Sequence, residues 1–486
     1  MEEENKLRRV LALMICVLAM CIAMFYLPDK VFDYPIKKVD LLSDLRADVQ
    51  ELTLDSLRRQ LELQAHADSL EVDSVALRDS IRKEIGLDSA MLALRDSLYR
   101  VIAFVEGADS TGSHIEDYSL GHIGLQKFFA ALGARDTLGR PVYVAFLGDS
   151  FIEGDILVAD FRSAMQQAFG GGGIGFVPIT SVAAQYRPTV EQSAEGWKTW
   201  SMMTDHSQAY TLSGLLFEPE GDSARVMLRT TDRYPESETV SSFKFYYQRN
   251  KETEMRWSAD GGISSETVML LPTDSVSCYA RRGNFQEIDL QFTHAKENLL
   301  ALGIALESDT GVIVDNYSLR GSSGSILHRL DSVQSRALNA QRPYDLVILQ
   351  YGLNVASDSV LSYGWYGRQM EESIKQVRRC FPTADVLLLS VSDRSRQIGG
   401  KFETMPAVLA LLHAQRQTAR RMGIPFWNLF GAMGGENSMV KFVEKNWASK
   451  DYTHLGFPGG KALADSLFNA LMREKMFYDE AAQAGY

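Results

Sequence analysis

The sequence predicts a three-layer α/β body on a parallel sheet, with an all-β sandwich inserted into it and an apolar span and helical stalk ahead of it. Three observations carry this. First, short continuous apolar runs alternate with helical patterns such as GRQMEESIKQVRRCF. The runs are PVYVAFL (141–147), GVIVDN (311–316), YDLVILQ (344–350), ADVLLLSV (384–391) and PFWNL (425–429). Strands buried on both faces of a parallel sheet read this way. Second, from about 178 to 308 the alternation stops and one strand pattern follows another. Third, the first 110 residues hold an apolar stretch and then a long run of helical spacing.

Residues 1–28 read as an N-terminal transmembrane anchor. Val10 to Pro28 are nineteen residues without a charge. At about 1.5 Å each they span roughly 28 Å, close to a bilayer's hydrocarbon core. A cleaved signal peptide is the rival reading, but CIAMFYLPDK offers no convincing small-residue cleavage site. Lys6, Arg8 and Arg9 precede the span and Lys30, Lys37 and Lys38 follow it, so charge does not settle its orientation. The short N-terminal tail favours an N-inside orientation, with the span in contact with lipid.

Residues 29–110 read as a helical stalk. Leu41, Leu45, Leu52, Leu57 and Leu61 recur at helical steps among charges. No strict heptad is present, so pairing as a coiled coil stays open. The α/β body then occupies 111–177 and 309–486, and the sandwich 178–308. Within the sandwich, EGDS, ADGG and RRGN read as turns between strands, and its own alternation predicts a separable unit. The Gly170–Gly173 run lacks the lysine of a phosphate loop and reads as a flexible turn.

Composition excludes several classes. Across 486 residues, Lys+Arg 50 against Asp+Glu 62 gives a net charge of −12. Phosphate contacts need clustered cations, so no nucleic-acid partner is expected. Four cysteines without a C-x-x-C pair give no case for zinc, an iron–sulfur cluster or a disulfide scaffold. No metal or cofactor is expected, and Cys278 and Cys380 are expected as free thiols.

The strand VYVAFL ends in Gly148-Asp149-Ser150, with a helix soon after. A serine there points into the crevice where open α/β sheets bind ligands. A second copy, Gly221-Asp222-Ser223, lies between two strand patterns and reads as a hairpin turn. A nucleophilic serine needs a base, and the base an orienting group. Among eight histidines, His454 has an aspartate three positions earlier, in Asp451-Tyr-Thr-His454, just before the last helix. Acyl chemistry also needs donors for an oxyanion. Gly321 in NYSLRGSSG and Asn354 in YGLN each follow a central strand and are candidates, the glycine because it has no Cβ to block a ligand's approach.

Ser150, Gly321, Asn354 and Asp451/His454, in this order, resemble the four blocks of the SGNH (GDSL-type) hydrolase family. The resemblance covers about 140–175 and 310–475. It implies a flavodoxin-like three-layer fold, Ser150, Asp451 and His454 as the catalytic set, and an oxyanion hole from the Ser150 and Gly321 N–H groups and the Asn354 amide. The family often has Asp after the block asparagine, where this chain has Val355. The stretch GDSFIEGDILVADFRSAMQQAFGGGGIGFVP is similar to the periplasmic branch, which includes peptidoglycan O-acetylesterases, some with an inserted β-sandwich similar to a carbohydrate-binding module. That branch usually has histidine after GDS, where this chain has Phe151.

The resemblance implies a membrane-anchored serine esterase that removes O-acetyl groups from an envelope glycan such as peptidoglycan. The body would lie in the periplasm of a bacterium, held at the inner membrane. An O-acetyltransferase with the same residues is the alternative; it would need a membrane-bound O-acyltransferase partner to supply acetyl groups. A non-catalytic glycan-binding protein is the third reading. Trp197 and Trp200 in EGWKTW are candidate sugar-stacking residues, as is the Tyr246–Tyr247 pair; packing within the sandwich is their rival role.

Overall fold

The computed structural model describes residues 110–484 and the short segments 30–31 and 34–35. The latter pair as two antiparallel strands, Lys30–Val31 and Tyr34–Pro35. The expected span (10–28) and the stalk from 39 to 107 lie outside the described residues. Among the described residues no helix is long and apolar enough to cross a membrane.

The α/β body is built on a six-stranded sheet. Its order is Val312–Ser318, Val142–Gly148, Tyr344–Gln350, Asp385–Leu389, Pro425–Trp427 and Ile115–Asp117. The first five run parallel, and the last closes the edge antiparallel. Every residue of Val142–Gly148 and Tyr344–Gln350 is buried. Both faces of the sheet are therefore covered, which is why these strands read as unbroken apolar runs. The covering helices pack in two groups. Helix Val158–Phe169 lies against Phe457–Ala484, and Gly364–Cys380 packs against Ser332–Gln341 and Pro406–Met422. Their ends follow local rules. Asp331 caps Ser332–Gln341 by accepting from Val333 N–H at 2.9 Å and Gln334 N–H at 2.8 Å. Pro406 opens its helix and Gly423, at φ 57°, closes it.

Two antiparallel sheets occupy most of the 178–308 interval. One has the order Ser277–Phe285, Val240–Arg249, Leu300–Glu307, Leu215–Pro219, Trp197–Ser201. The other runs Ser264–Met269, Glu254–Ala259, Glu287–Thr293, Ala224–Thr230, Val190–Glu195. Phe243, Phe245 and Tyr247 from the first meet Val226, Leu228, Trp257, Leu290 and Phe292 from the second in one buried core. Residues that face the other way on the first sheet, among them Leu216, Tyr246, Leu302 and, past a bulge in the same strand, Ala305, belong instead to the core of the α/β body. Strand alternation thus sends one face to each core. A separable unit was expected, and the shared core is the reason the sheets are not independent of the body.

Three further details depart from the sequence reading. Gly173–Pro178 pairs with Leu300–Glu307, so the antiparallel sheet recruits a strand from before 178. The Gly170–Gly173 run is a close passage rather than a loose turn. A Cβ on Gly171 would lie 2.5 Å from Val312 N, and one on Gly173 would lie 2.3 Å from Leu306 O. RRGN is part of the strand Ser277–Phe285, with the Phe285 ring folded over Gly283. The EGDS segment is not a hairpin: it joins Leu215–Pro219 in one sheet to Ala224–Thr230 in the other.

A buried ion cluster ties sheet to sheet. Arg342, wholly buried, holds Asp315 of the parallel sheet through Nε at 2.5 Å and Nη2 at 2.6 Å. Its Nη1 holds Glu307 of the antiparallel sheet at 2.6 Å. Lys244 Nζ (2.6 Å) and the Tyr143 hydroxyl (2.8 Å) complete the Glu307 shell, and the Tyr344 hydroxyl (2.6 Å) bonds Asp315. Removing one member of such a set leaves the other charges buried and unpaired, at about 3–5 kcal/mol. Arg342→Met is therefore expected to lower unfolding stability by about that amount in chemical denaturation; a loss below about 1 kcal/mol, the scale of an exposed pair, would contradict the role of the cluster.

Candidate active site

Parallel register brings the site together. Gly148 lies opposite Ser318 on one side and Gln350 on the other, so the three following loops leave the sheet at one edge. At Asp149 the chain turns: Asp149 Oδ1 accepts from Phe151 N–H at 2.9 Å. Ser150 follows at the surface of this turn, partly buried.

Ser150 Oγ lies 3.0 Å from His454 Nε2. His454 Nδ1 lies 2.7 Å from Asp451 Oδ2. The carboxylate accepts the Nδ1 proton, which leaves Nε2 as the acceptor facing the serine hydroxyl. The short D-x-x-H spacing closes on itself for local reasons. Asp451 Oδ1 accepts from the Thr453 N–H at 2.9 Å and the His454 N–H at 3.0 Å. Tyr452 takes a positive φ of 55°, and its ring stacks on Phe402 at 3.7 Å. Burial alone would raise the Asp451 carboxyl. The bonds from His454 and Thr453 outweigh it and hold the group below its usual value.

Gly321 sits at φ 78° in a turn closed by Ser322 N–H to Leu319 O at 3.1 Å. A positive φ at the third position of a turn is the type II pattern and favours glycine. A Cβ built there meets nothing within 4 Å, so the backbone angle, not a close approach, is what selects glycine. The Asn354 amide donates to Asp149 Oδ2 at 2.7 Å and to Ser322 O at 2.9 Å. Both of its hydrogens are thus engaged. As placed, Asn354 ties the serine loop to the glycine loop, and it meets an oxyanion only by releasing one of these bonds.

The aromatic candidates make packing contacts. Trp197 donates its indole N–H to Arg225 O at 2.9 Å and lies edge-on to Phe292 at 5.4 Å. Trp200 donates to Glu218 at 3.1 Å, and the Lys198 ammonium covers its face at 3.6 Å. Tyr246 and Tyr247 are fully buried, one in each core. These partners lie within the antiparallel sheets, where Trp197 and Trp200 are half-buried. Cys278 and Cys380 are free thiols.

Sequence reasoning passed over Asp149 except as a motif letter. It is 2% exposed. Burial pushes its carboxyl up to about 6, against the opposing bonds from Phe151 and Asn354 and the His454 charge. It also passed over Glu153 and Arg320, which form an ion pair beside the Gly321 turn. No spacing rule links residues so far apart. Among the described residues, Asp117, His122 and Glu474 bring potential metal-ligand atoms within 4.8 Å of one another. Asp117 ends the antiparallel edge strand, His122 lies in the turn that follows and Glu474 is on the last helix; Asp117 already accepts from Ser119 and Gly124 N–H.

No family model and no curated protein matches the chain. A solved structure of a peptidoglycan O-acetylesterase in action is similar at TM-score 0.62 and 21% identity, over 74% of this chain and 99% of that one. At that identity the likeness is one of fold. A family two carbohydrate esterase from Cellvibrio japonicus (TM-score 0.25, 10% identity, 59% of this chain and 98% of that one) and an acetyl xylan esterase (0.26, 14%, 33% and 81%) are too distant in geometry to add to it. The fold is that of this solved structure, and it brings serine, histidine and aspartate into hydrogen-bonded sequence, the arrangement that the resemblance to the SGNH (GDSL-type) hydrolases implies.

The raised Asp149 carboxyl sets a pH dependence. Between about pH 4 and about pH 6 the folded chain keeps a proton that the unfolded chain has lost, so this contribution to stability fades as pH rises through that window. Asp149→Asn cannot titrate. The melting temperature of the wild type, relative to Asp149→Asn, is expected to fall between about pH 4 and about pH 7; a constant difference would contradict the burial effect.

Proposed function

We propose that the chain is a membrane-anchored serine esterase that removes O-acetyl groups from a cell-envelope glycan such as peptidoglycan. The observation that carries the reading is the contact of Ser150 Oγ with His454 Nε2 at 3.0 Å, with Asp451 on the far ring nitrogen. His454 takes the Ser150 proton as Oγ attacks the acetyl carbonyl. Asp451 holds the imidazole in the required tautomer and favours the imidazolium. The oxyanion is met by the Ser150 and Gly321 N–H groups and by one Asn354 N–H released from Asp149 or Ser322. Each such donor supplies about 3–4 kcal/mol of the barrier reduction. The acyl carbon–oxygen bond breaks, and the leaving sugar oxygen takes the proton from His454. Water, activated by the same imidazole, then attacks the acetyl-serine and releases acetate. Glycan acetyl groups as the substrate draw support from the O-acetylesterase fold likeness and from the stretch after Ser150. The apolar segment 10–28 supports a single span, and the short tail before it favours the N-inside orientation that would leave the α/β body in the periplasm.

The two Gly-Asp-Ser copies give a built-in control. Ser223 is exposed in the connection between the two antiparallel sheets. With a small acetyl ester, Ser150→Ala is expected to lose roughly 10⁴-fold or more in kcat. Ser223→Ala should stay near the wild type, and Asp451→Asn should fall between them. Supplying an acetylated glycan with and without an unacetylated acceptor then reads where the acetyl goes. Free acetate in both cases supports hydrolysis, and acetylated acceptor with little acetate assigns the same residues to transfer. Full activity in Ser150→Ala would sink both.

A further inference from the structure

A cleft beside the serine loop is lined by a buried arginine that shares its one carboxylate with a second arginine. Asp155, five residues after Ser150 and wholly buried, is held by two arginines. Arg162 grips it with Nη1 at 3.0 Å and Nη2 at 3.2 Å, and Arg187 Nε reaches it at 3.1 Å. The Thr189 hydroxyl (2.6 Å) and Asn316 Nδ2 (2.9 Å) complete its shell. Burial opposes ionisation, but the two guanidinium charges hold Asp155 far below the ordinary carboxylate range. The adjoining acids, Asp315 and Glu307, are taken by Arg342 and Lys244. Three carboxylates therefore face four cations across this connected interior. The Arg187 side chain is only 9% exposed, and its buried Nη2 has no hydrogen-bond partner. The Asn316 side chain is fixed by donating to Asp155 and to Ile152 O at 2.9 Å, and its buried Oδ1 is likewise unpartnered.

Both atoms belong to residues lining one cleft of about 40 Å³, together with Gly154, Phe176, Ser213 and Leu215. One water needs about 10–15 Å³ on this scale, so the cleft admits a carboxyl group and not a sugar ring. An unmet buried N–H and an unbalanced buried charge are both costly. An anion in the cleft offsets the charge, and a small turn of the Arg187 guanidinium toward it gives the buried N–H a partner. Asn316 Oδ1, an acceptor, asks in addition for a hydroxyl or amide N–H close to that anion. We propose that this cleft is a carboxylate subsite, recognising a substrate that carries a carboxylate with a neighbouring hydroxyl or amide. Its place beside the acyl site follows from Asn316, which holds the carbonyl of Ile152, two residues past Ser150, and from Ser318, which lies opposite Gly148. Resting on the proposed hydrolase reading, it narrows the substrate to acetylated glycans that contain acidic sugars.

The test uses the full chain, with sodium acetate as the probe and sodium chloride at equal ionic strength as its control. Acetate is expected to raise the melting temperature of the wild type saturably, beyond chloride. Ala184 lines the same cleft one turn before Arg187 and has no side-chain bond to lose. Ala184→Asp supplies a carboxylate of its own, so it should melt higher than the wild type and no longer respond to acetate. No acetate effect in the wild type, or an equal one in Ala184→Asp, overturns the subsite. A kinetic arm compares an acetylated sugar acid with the same sugar masked as a neutral amide. Arg187→Gln should lower the kcat/KM ratio of acid to amide at least about tenfold, the loss of a charge-assisted hydrogen bond; an unchanged ratio overturns the subsite. The thermal arm needs no ester cleavage. An inactive enzyme that still responds to acetate would therefore sink the hydrolase reading alone, and an active one without the response would sink the subsite alone.

Discussion

Parallel pairing on both sides of Val142–Gly148 is the constraint on which the site depends. A central strand with two parallel neighbours must release its following loop at the same edge as theirs. That alone delivers the serine turn, the Leu319–Ser322 turn and the Gly352–Asn354 turn to one place, since Gly148 is level with Ser318 and Gln350. The remaining partner arrives by chain order, in the compact Asp451–His454 loop that precedes the last helix. Asn354 then joins the loops directly, to Asp149 on one side and to the Ser322 carbonyl on the other. The serine's position is thus determined by sheet register first and by a side-chain amide second.

The antiparallel sheets are part of the same construction. Their first sheet turns one face to the catalytic core and the other to its own core, and Arg342 bonds across to Asp315 and Glu307. Gly173–Pro178 lies between the helix after the serine and the sheet it joins. Movement of that sheet would be felt at Asp315 and, next in the chain, at Asn316, which holds the carbonyl of Ile152. The cleft lined by Arg187 and Asn316 sits along this boundary, so substrate recognition and sheet packing use neighbouring atoms.

The parallel strands were legible because burial on both faces leaves an unbroken apolar run, and Asp451 and His454 because they are near neighbours in sequence. Ser150 was separable from Ser223 by context alone: one follows a buried strand, the other lies between two patterns of the antiparallel sheets. RRGN misled because arginine, glycine and asparagine are turn residues by composition, whereas Gly283 is there to admit the Phe285 ring. Gly321 was found for an incomplete reason, since its backbone angle and not its size selects it. The ties of Asn354 and the Asp155–Arg162–Arg187 cluster were not legible. Each depends on residues brought together only by the fold, and a single sequence carries no spacing signal for them.

The central claim is that Ser150, set by strand register against His454, carries the acyl group. Rapid quenching of the full chain during turnover of an acetyl ester, followed by digestion and peptide mass spectrometry, reads this directly. The account requires acetyl mass on the peptide containing Ser150, none on the peptide containing Ser223, and its build-up when Asp451 is replaced by Asn if deacylation slows more than acylation. Acetyl mass on another residue, or turnover with no acetylated peptide in any variant, would contradict it.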